Sequence, residues 1–485
     1  DDWKARILSR QRGYPSGTRL RNAPENTYMA RWECIVCGWV YDETRGSPDE
    51  GVAPGTVWGE VPADFLCPDC GVGKEDFELI DNTPLQTTPH HEEAEVPPVK
   101  APVIIIGTGL AGYNLAREFR KLDTETPLVL ITSDDGRMYS KPMLSTGFTK
   151  NTTADDLATA DAGTMATQLK ASVWTHTRVT AIDTARKEIR IGDSTTVAYA
   201  KLVLAWGAEV IRPPLEGDGL SLVYSVNDLM DYADFRTTIA NTGAKKVLIV
   251  GAGLIGSEFA NDLSNGGFDI DVVDPLGWSL PTLLPERAGR AVQAALEAKG
   301  VRFHFGRLVR AVNRAVDGKG IVATLDDGST LAADIGVSAI GVRPRLELAR
   351  AAGIAVNRGI VADRQLRTSA PDVYTLGDCA EVGGWVLYYV APLMACARVL
   401  AKTLAGEPTD VAYPPMPVTI KTPACPVVVA PPAPGAQGSW QVSGEAPDLV
   451  AEFRGSDGKL LGFALTGEGT RQKMALQKDL PALLP

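Results

Sequence analysis

Two stretches of the chain repeat one pattern of apolar and small positions. Val103-Ile104-Ile105-Ile106 is a continuous apolar run of the length of a buried strand. Gly107-Thr108-Gly109-Leu110-Ala111-Gly112 follows, then a helical stretch to about Lys121, then a second apolar run from Leu128 to Ile131. The same order returns at Val247-Leu248-Ile249-Val250, at Gly251-Ala252-Gly253-Leu254-Ile255-Gly256, and at Ile270 to Val273. Strand, GxGxxG turn, helix and strand make a βαβ unit of the kind that binds a dinucleotide. A lone GxGxxG is a weak signal. Two of them, 144 residues apart and each bracketed by apolar strands, predict an α/β chain with two dinucleotide sites.

Outside the repeats the periodicity changes. Residues 1–31 are polar and rather basic and predict a disordered or loosely docked leader. Residues 32–80 hold a cluster of cysteines. Residues 81–100 carry four prolines and little apolar content, which predicts a linker; His90 and His91 fall in it as solvated residues. A Pro-rich segment from about Pro415 predicts a small separate domain over 416–485. The longest apolar candidate, Val386 to Ala397, is interrupted by Pro392 and ends at Arg398, so no membrane-spanning helix is expected. No secretory signal is visible, which points to the cytoplasm. The chain opens on Asp1 without a Met, which leaves room for a longer chain.

Charge sharpens this division. The whole chain of 485 residues carries −11, which argues against nucleic acid as a partner. Between Trp32 and Ile80 eleven acidic residues face only Arg45 and Lys74, a net of −9. A small acidic module is therefore joined to a nearly neutral remainder. Four of the seven cysteines lie in that module as Cys34-x-x-Cys37 and Cys67-x-x-Cys70. Two such knuckles can offer four thiolates to one tetrahedral metal, zinc or iron. Cys379, Cys396 and Cys425 read as small buried residues.

The 29 residues between the knuckles exceed the usual zinc-ribbon gap. The surrounding residues, Trp32-x-Cys34-x-x-Cys37-Gly38-Trp39-Val40-Tyr41-Asp42, Pro54-Gly55-Thr56 and Phe65-x-Cys67-Pro68-x-Cys70-Gly71, resemble rubredoxin. That resemblance implies a small β-sheet domain holding one iron beneath an aromatic core of Trp32, Trp39, Tyr41, Trp58, Phe65 and Phe77. Phe65 stands where many rubredoxins have Trp. Zinc could fill the same cage after overexpression. The glycine after each knuckle is expected to aim backbone N–H groups at sulfur.

Thr375-Leu376-Gly377-Asp378, Ala205-Trp206-Gly207-Ala208 and Ala339-Ile340-Gly341-Val342-Arg343-Pro344 resemble the closing motifs of flavoproteins with two dinucleotide domains. The resemblance assigns FAD to the first turn (Gly107, Thr108, Gly109, Leu110, Ala111, Gly112) and NAD to the second (Gly251, Gly253, Ile255, Gly256, with Gly341). It implies Asp378 on the ribityl chain and Val179 beside the adenine. Asp274 ends the strand after the second turn, where a carboxylate binds ribose hydroxyls and repels a 2′-phosphate; this favours NADH. In the first unit Ser133 or Asp134 would make the ribose contact.

Tyr139-Ser140-Lys141-Pro142 and Gly256-Ser257-Glu258 resemble segments of rubredoxin reductases and aromatic-ring-hydroxylase ferredoxin reductases. This match runs from about Ala101 to Pro485. It implies an FAD domain over 101–212 and 335–415, an NAD domain over 213–334 and a C-terminal α+β domain over 416–485. It also implies that Lys141 and Glu258 form an ion pair beside the flavin, positioning the nicotinamide. The plain alternative for Glu258 is a solvated helix residue. A helix opening at Tyr388-Tyr389-Val390 would turn its positive end to the flavin, with Lys421 adding to it.

No cysteine lies between Cys70 and Cys379, which leaves no place for the flavin-side disulfide or lone thiol of related enzymes. The expected reaction is hydride transfer from NADH to FAD, then single electrons to the four-cysteine iron and an external acceptor. The resemblance favours a membrane-bound di-iron alkane hydroxylase as that acceptor, with a soluble oxygen-detoxifying protein second. The rival readings are an NADH oxidase and a redox sensor with a zinc-filled module.

Overall fold

The computed structural model describes residues 30–80 and 101–485. The leader, apart from its last two residues, and the 81–100 linker with His90 and His91 lie outside them. Among the described residues no helix is long and apolar enough to cross a membrane.

The acidic module is a three-stranded antiparallel sheet. Its central strand β1 (Arg31–Cys34) pairs with β2 (Val40–Asp42) on one side and β3 (Phe77–Leu79) on the other. So small a sheet needs an unusually dense core, and aromatic rings supply it. Trp58 packs within 4.8 Å of Phe77 and 5.2 Å of Tyr41, centroid to centroid, and Trp32 stacks on it. Phe65 is buried in the same cluster, edge-on to Trp58, so the smaller ring keeps its place.

The first dinucleotide unit runs β4 (Val103–Ile106), α1 (Leu110–Leu122), β5 (Leu128–Ile131) and β6 (Ser172–Trp174). With β7 (Lys201–Leu204) and a late strand (Val373–Thr375), they form a parallel sheet centred on β4. Every residue of β4 and β5 is buried, as a parallel sheet covered on both faces requires. Arg120 and Lys121 close the last turn of α1, where a positive charge suits the helix dipole.

The second unit repeats this with β8 (Val223–Tyr224), β9 (Lys246–Val250), α2 (Leu254–Asn265), β10 (Asp269–Asp274) and β11 (Arg302–Phe305). The strand β12 (Ile335–Ser338) lies between β8 and β9 in that sheet. The expected boundary at residue 335 is therefore corrected: the second unit extends through Ser338. The reason is the parallel pairing of buried Ile335 and Val337 with β9, which the turn glycines after them conceal from a reading by motif.

Helix α3 (Val390–Leu404) packs along α1. The C-terminal domain is a five-stranded antiparallel sheet spanning Val418–Thr466, followed by a short helix, Lys473–Gln477. One cluster of buried apolar residues runs without a break from the acidic module into α1 and α3.

Candidate active site and metal centre

The two knuckles bring four sulfurs together. Sγ of Cys34 lies 3.6 Å from that of Cys70, and Cys37 lies 3.4 Å from Cys67. All four fall within 4.8 Å of one another. A tetrahedron with metal–sulfur bonds of about 2.3 Å has edges of about 3.8 Å, so the cage fits one iron or zinc. Gly38 and Gly71 close the knuckles with φ of 77° and 75°, which a side chain would strain. Their own N–H groups donate to the carbonyls of Cys34 and Cys67, at 2.8 Å each. The left-handed turn closes the loop with that bond, and it leaves the backbone N–H of Cys37 aimed at the Cys34 sulfur. Hydrogen bonds from the other three sulfurs, Cys37 first, push the Cys34 thiol down, and the bonds with Cys34 and Cys37 push Cys67 and Cys70 up. Four thiolates at this spacing require a cation among them.

The glycine turns are built alike. A Cβ on Gly112 would lie 1.9 Å from the Gly107 carbonyl oxygen, and one on Gly256 would lie 1.9 Å from that of Gly251. Gly107 and Gly251 have φ of 115° and 108° and pass close against the backbone at Ala205 and Ala339. A Cβ on Gly109 or Gly253 would meet no protein atom. Both of these glycines cap a helix N-terminus and face open space, the cradle a pyrophosphate needs. Both turns open on one cavity of about 1780 Å³, wide enough for two dinucleotides.

This cavity gathers most of the residues singled out in the sequence. Gly107, Thr108, Gly109, Leu110, Ala111, Ser133, Asp134, Lys141, Val179 and Asp378 line its first half. Gly251, Gly253, Ile255, Asp274 and Gly341 line the second, and Glu258, Val390 and Lys421 stand between. Gly112 and Gly256 act from behind, by letting helix and strand close up. Val390 is the first residue of α3, whose N-terminus opens into the cavity. Asp134 accepts from Thr132 Oγ1 at 2.6 Å and Thr108 Oγ1 at 3.3 Å; exposed Ser133 leaves its hydroxyl in the cavity. Asp274 accepts from the Ala252 N–H at 2.7 Å.

The expected Lys141–Glu258 ion pair does not form. Glu258 is buried, not solvated, and pairs with Lys421 Nζ at 2.8 Å. Its carboxylate also accepts from the Lys421 N–H at 2.9 Å and Ser145 Oγ at 2.6 Å. Lys141 instead donates to Asn227 Oδ1 at 2.9 Å and stands 3.7 Å from Asp378. The C-terminal sheet delivers Lys421 to Glu258, a contact between residues 163 positions apart that spacing could not reveal. Asn227 and Ser145 carried no motif of their own. Cys379, Cys396 and Cys425 are buried, and burial pushes the first two thiols up to about 11 and about 12, as structural cysteines require.

The module closes the cavity. Asp69, Cys70 and Gly71 line it together with Lys141 and Tyr389. Asp76 is fully buried and meets Arg398 of α3 at 2.6 Å; burial pushes its carboxyl up to about 7 against the pull of Arg398.

Comparison with known proteins follows the same division. Residues 101–395 match the pyridine nucleotide-disulphide oxidoreductase family, residues 31–77 match rubredoxin, and residues 410–480 match a rubredoxin binding C-terminal domain. The chain belongs to the pyridine nucleotide-disulphide oxidoreductases. A rubredoxin-NAD(+) reductase of Alcanivorax borkumensis is 57% identical over 384 residues, covering 79% of this chain and 100% of its own length. A nitric oxide reductase FlRd-NAD(+) reductase of Vibrio vulnificus is 37% identical over 379 residues, covering 78% and 98%. The covalent putidaredoxin reductase–putidaredoxin complex shares the fold, with a TM-score of 0.70 at 23% identity over 79% of this chain and 94% of its own. Within its family this chain stands with the rubredoxin-NAD(+) reductases, as an FAD-dependent oxidoreductase with a rubredoxin domain in the same polypeptide.

Proposed function

We propose that this chain passes electrons from NADH through FAD to one iron held by Cys34, Cys37, Cys67 and Cys70, and on to an outside acceptor protein. The supporting observation is the shared cavity: the Cys67–Cys70 knuckle stands in the wall of the space that both glycine turns face. Bound FAD supplies the conversion of a two-electron hydride into single electrons. The chain's own residues do the rest. Gly109 and Gly253 leave room for the pyrophosphates, and the N-termini of α1 and α2 hold them. Asp274 selects the ribose of NADH, Ser133 and Asp134 that of FAD, and Val179 flanks the adenine. Asp378 holds the ribityl chain.

Glu258, neutralised by Lys421 and aligned by Ser145, lies between the two nucleotide positions and orients the nicotinamide. Lys141 and the N-terminus of α3 offer positive charge to the flavin ring. Iron suits the rubredoxin match better than zinc. Seven unpaired cysteines suit a reducing compartment, the cytoplasm. A membrane-bound di-iron alkane hydroxylase is the acceptor we favour, through the resemblance to its electron-supply reductases. The relatives named for nitric oxide reductase favour a soluble acceptor as the second reading.

Anaerobic stopped-flow tests the relay. Mixed with NADH, the flavin absorbance should bleach first and the iron-thiolate band should follow at a rate independent of protein concentration. Bleached flavin beside an unchanged four-cysteine site would hand the function to the oxidase or sensor reading.

A further inference from the structure

The module sits on the reductase by the face that carries its metal ligands. Ile35, between Cys34 and Cys37, offers its carbonyl to Arg117 of α1 at 3.5 Å. Asp69, between Cys67 and Cys70, pairs with Lys150 at 3.4 Å. Glu75 and Asp76 take the two terminal nitrogens of Arg398 at 3.2 and 2.6 Å. Lys473 of the C-terminal domain is buried within the fields of Glu50 and Cys67. Four basic residues from four separate segments thus meet one face of a module whose net charge is −9. Complementary charge of this kind steers and orients a docking face.

A face pressed against the flavin cavity cannot serve an outside protein at the same moment. Among these contacts the Arg398–Asp76 pair stands apart, because Asp76 has no solvent exposure. A buried pair resists the loss of either partner far more than an exposed one such as Lys150–Asp69. We propose that Arg398 is the latch of this seat: it holds the metal face of the module against the flavin side, and letting go frees that face for the acceptor protein. The inference rests on the electron relay proposed above. It makes Arg398 a positioning residue, outside the lining of the shared cavity, whose loss trades internal transfer against delivery.

The test uses the full, iron-loaded chain with Arg398→Gln, and separately Lys150→Glu with and without Asp69→Lys. Two reactions are followed: bleaching of the iron-thiolate band by NADH, and oxidation of the pre-reduced iron by cytochrome c, a basic protein acceptor. Ferricyanide serves as a small acceptor that needs no docking face. Arg398→Gln should slow iron reduction by about tenfold or more while flavin bleaching keeps its rate. Cytochrome c should then oxidise the iron faster than in the parent, and ferricyanide at the parent rate. Lys150→Glu should slow iron reduction less, and adding Asp69→Lys should restore it. Unchanged iron reduction in Arg398→Gln overturns the latch, as does cytochrome c oxidation that slows in parallel. An iron band that ignores NADH in the parent chain overturns the relay itself.

Discussion

The two dinucleotide units share one order of strand, glycine turn, helix and strand, and they part at telling places just beyond the turns. Pairing register aligns Ile131 with Val273 across the glycine-turn strands β4 and β9. The turns superpose in their glycines, their φ angles and the carbonyls that a side chain would strike. The next position holds buried Thr132 in one unit and buried Asp274 in the other. Two residues after the last turn glycine stand Asn114 and Glu258, both buried. Asn114 donates back to Leu110 of its own helix; Glu258 reaches across to Lys421 and Ser145. The glycines therefore make a dinucleotide seat, and the residues just beyond them decide what that seat does.

The largest effects should come from breaking one turn and sparing the other. In Gly112→Ala or Gly256→Ala the new methyl meets a backbone carbonyl that cannot move without opening the turn. Gly112→Ala should be purified without flavin colour and without activity. Gly256→Ala should keep its flavin, stay reducible by dithionite, and lose NADH-driven bleaching by about a hundredfold or more. Equal flavin loss in both would show that the units are not independent. Lys421→Met comes next, since it leaves Glu258 buried and uncompensated, a disturbance of about 3–5 kcal/mol. Flavin reduction by NADH should fall by well over tenfold, with flavin content kept, whereas Asn114→Ala should leave the hydride step alone.

A smaller and more selective effect belongs to the strand ends. Asp274→Ala removes the charge facing a 2′-phosphate, and Arg307, whose backbone N–H reaches the Asp274 carbonyl at 3.3 Å, lines the same part of the cavity. The preference for NADH over NADPH, read as the ratio of kcat/KM values, should drop by about tenfold or more. An unchanged ratio would remove Asp274 from cofactor choice.

How much of this was legible in the sequence follows the range of each interaction. The cysteine knuckles and glycine turns were legible because each works over six residues or fewer. The buried strands announced themselves as apolar runs. The C-terminal domain was legible as a segment, but its purpose at the site was not. Lys421 reaches Glu258 across 163 positions, and Lys141 finds Asn227 across 86. A family likeness singled out Lys141 and Glu258 but implied a pairing that does not form, because pairing depends on how whole domains close. The boundary near residue 335 was missed for a related reason: β12 belongs by pairing to the sheet that its neighbours in sequence leave.

The smallest expected effect concerns the middle of the strands, where the units also part. Val129 opposite Ser172 in the first sheet becomes Asp271 opposite Arg302 in the second. Asp271 is nearly inaccessible, yet Arg302, His304 and Lys246 stand at 2.9, 2.8 and 3.4 Å. Burial works against its ionisation, but these three partners hold its carboxyl down to about 2. A carboxyl lowered from an unfolded value of about 3.9 stabilises the fold above that pH and ceases to as pH falls through its folded value. The stabilisation is about 2 kcal/mol, present at pH 5 and lost between roughly pH 4 and pH 2. Asp271→Asn should therefore lower the denaturation midpoint at pH 5 and above, and the gap from the parent should close under acid. Val129, neutral at the matching place, carries no such term, so Val129→Ala should destabilise equally at every pH. Parallel pH profiles for the Asp271→Asn chain and its parent would mean that the three partners around Asp271 contribute packing and not charge.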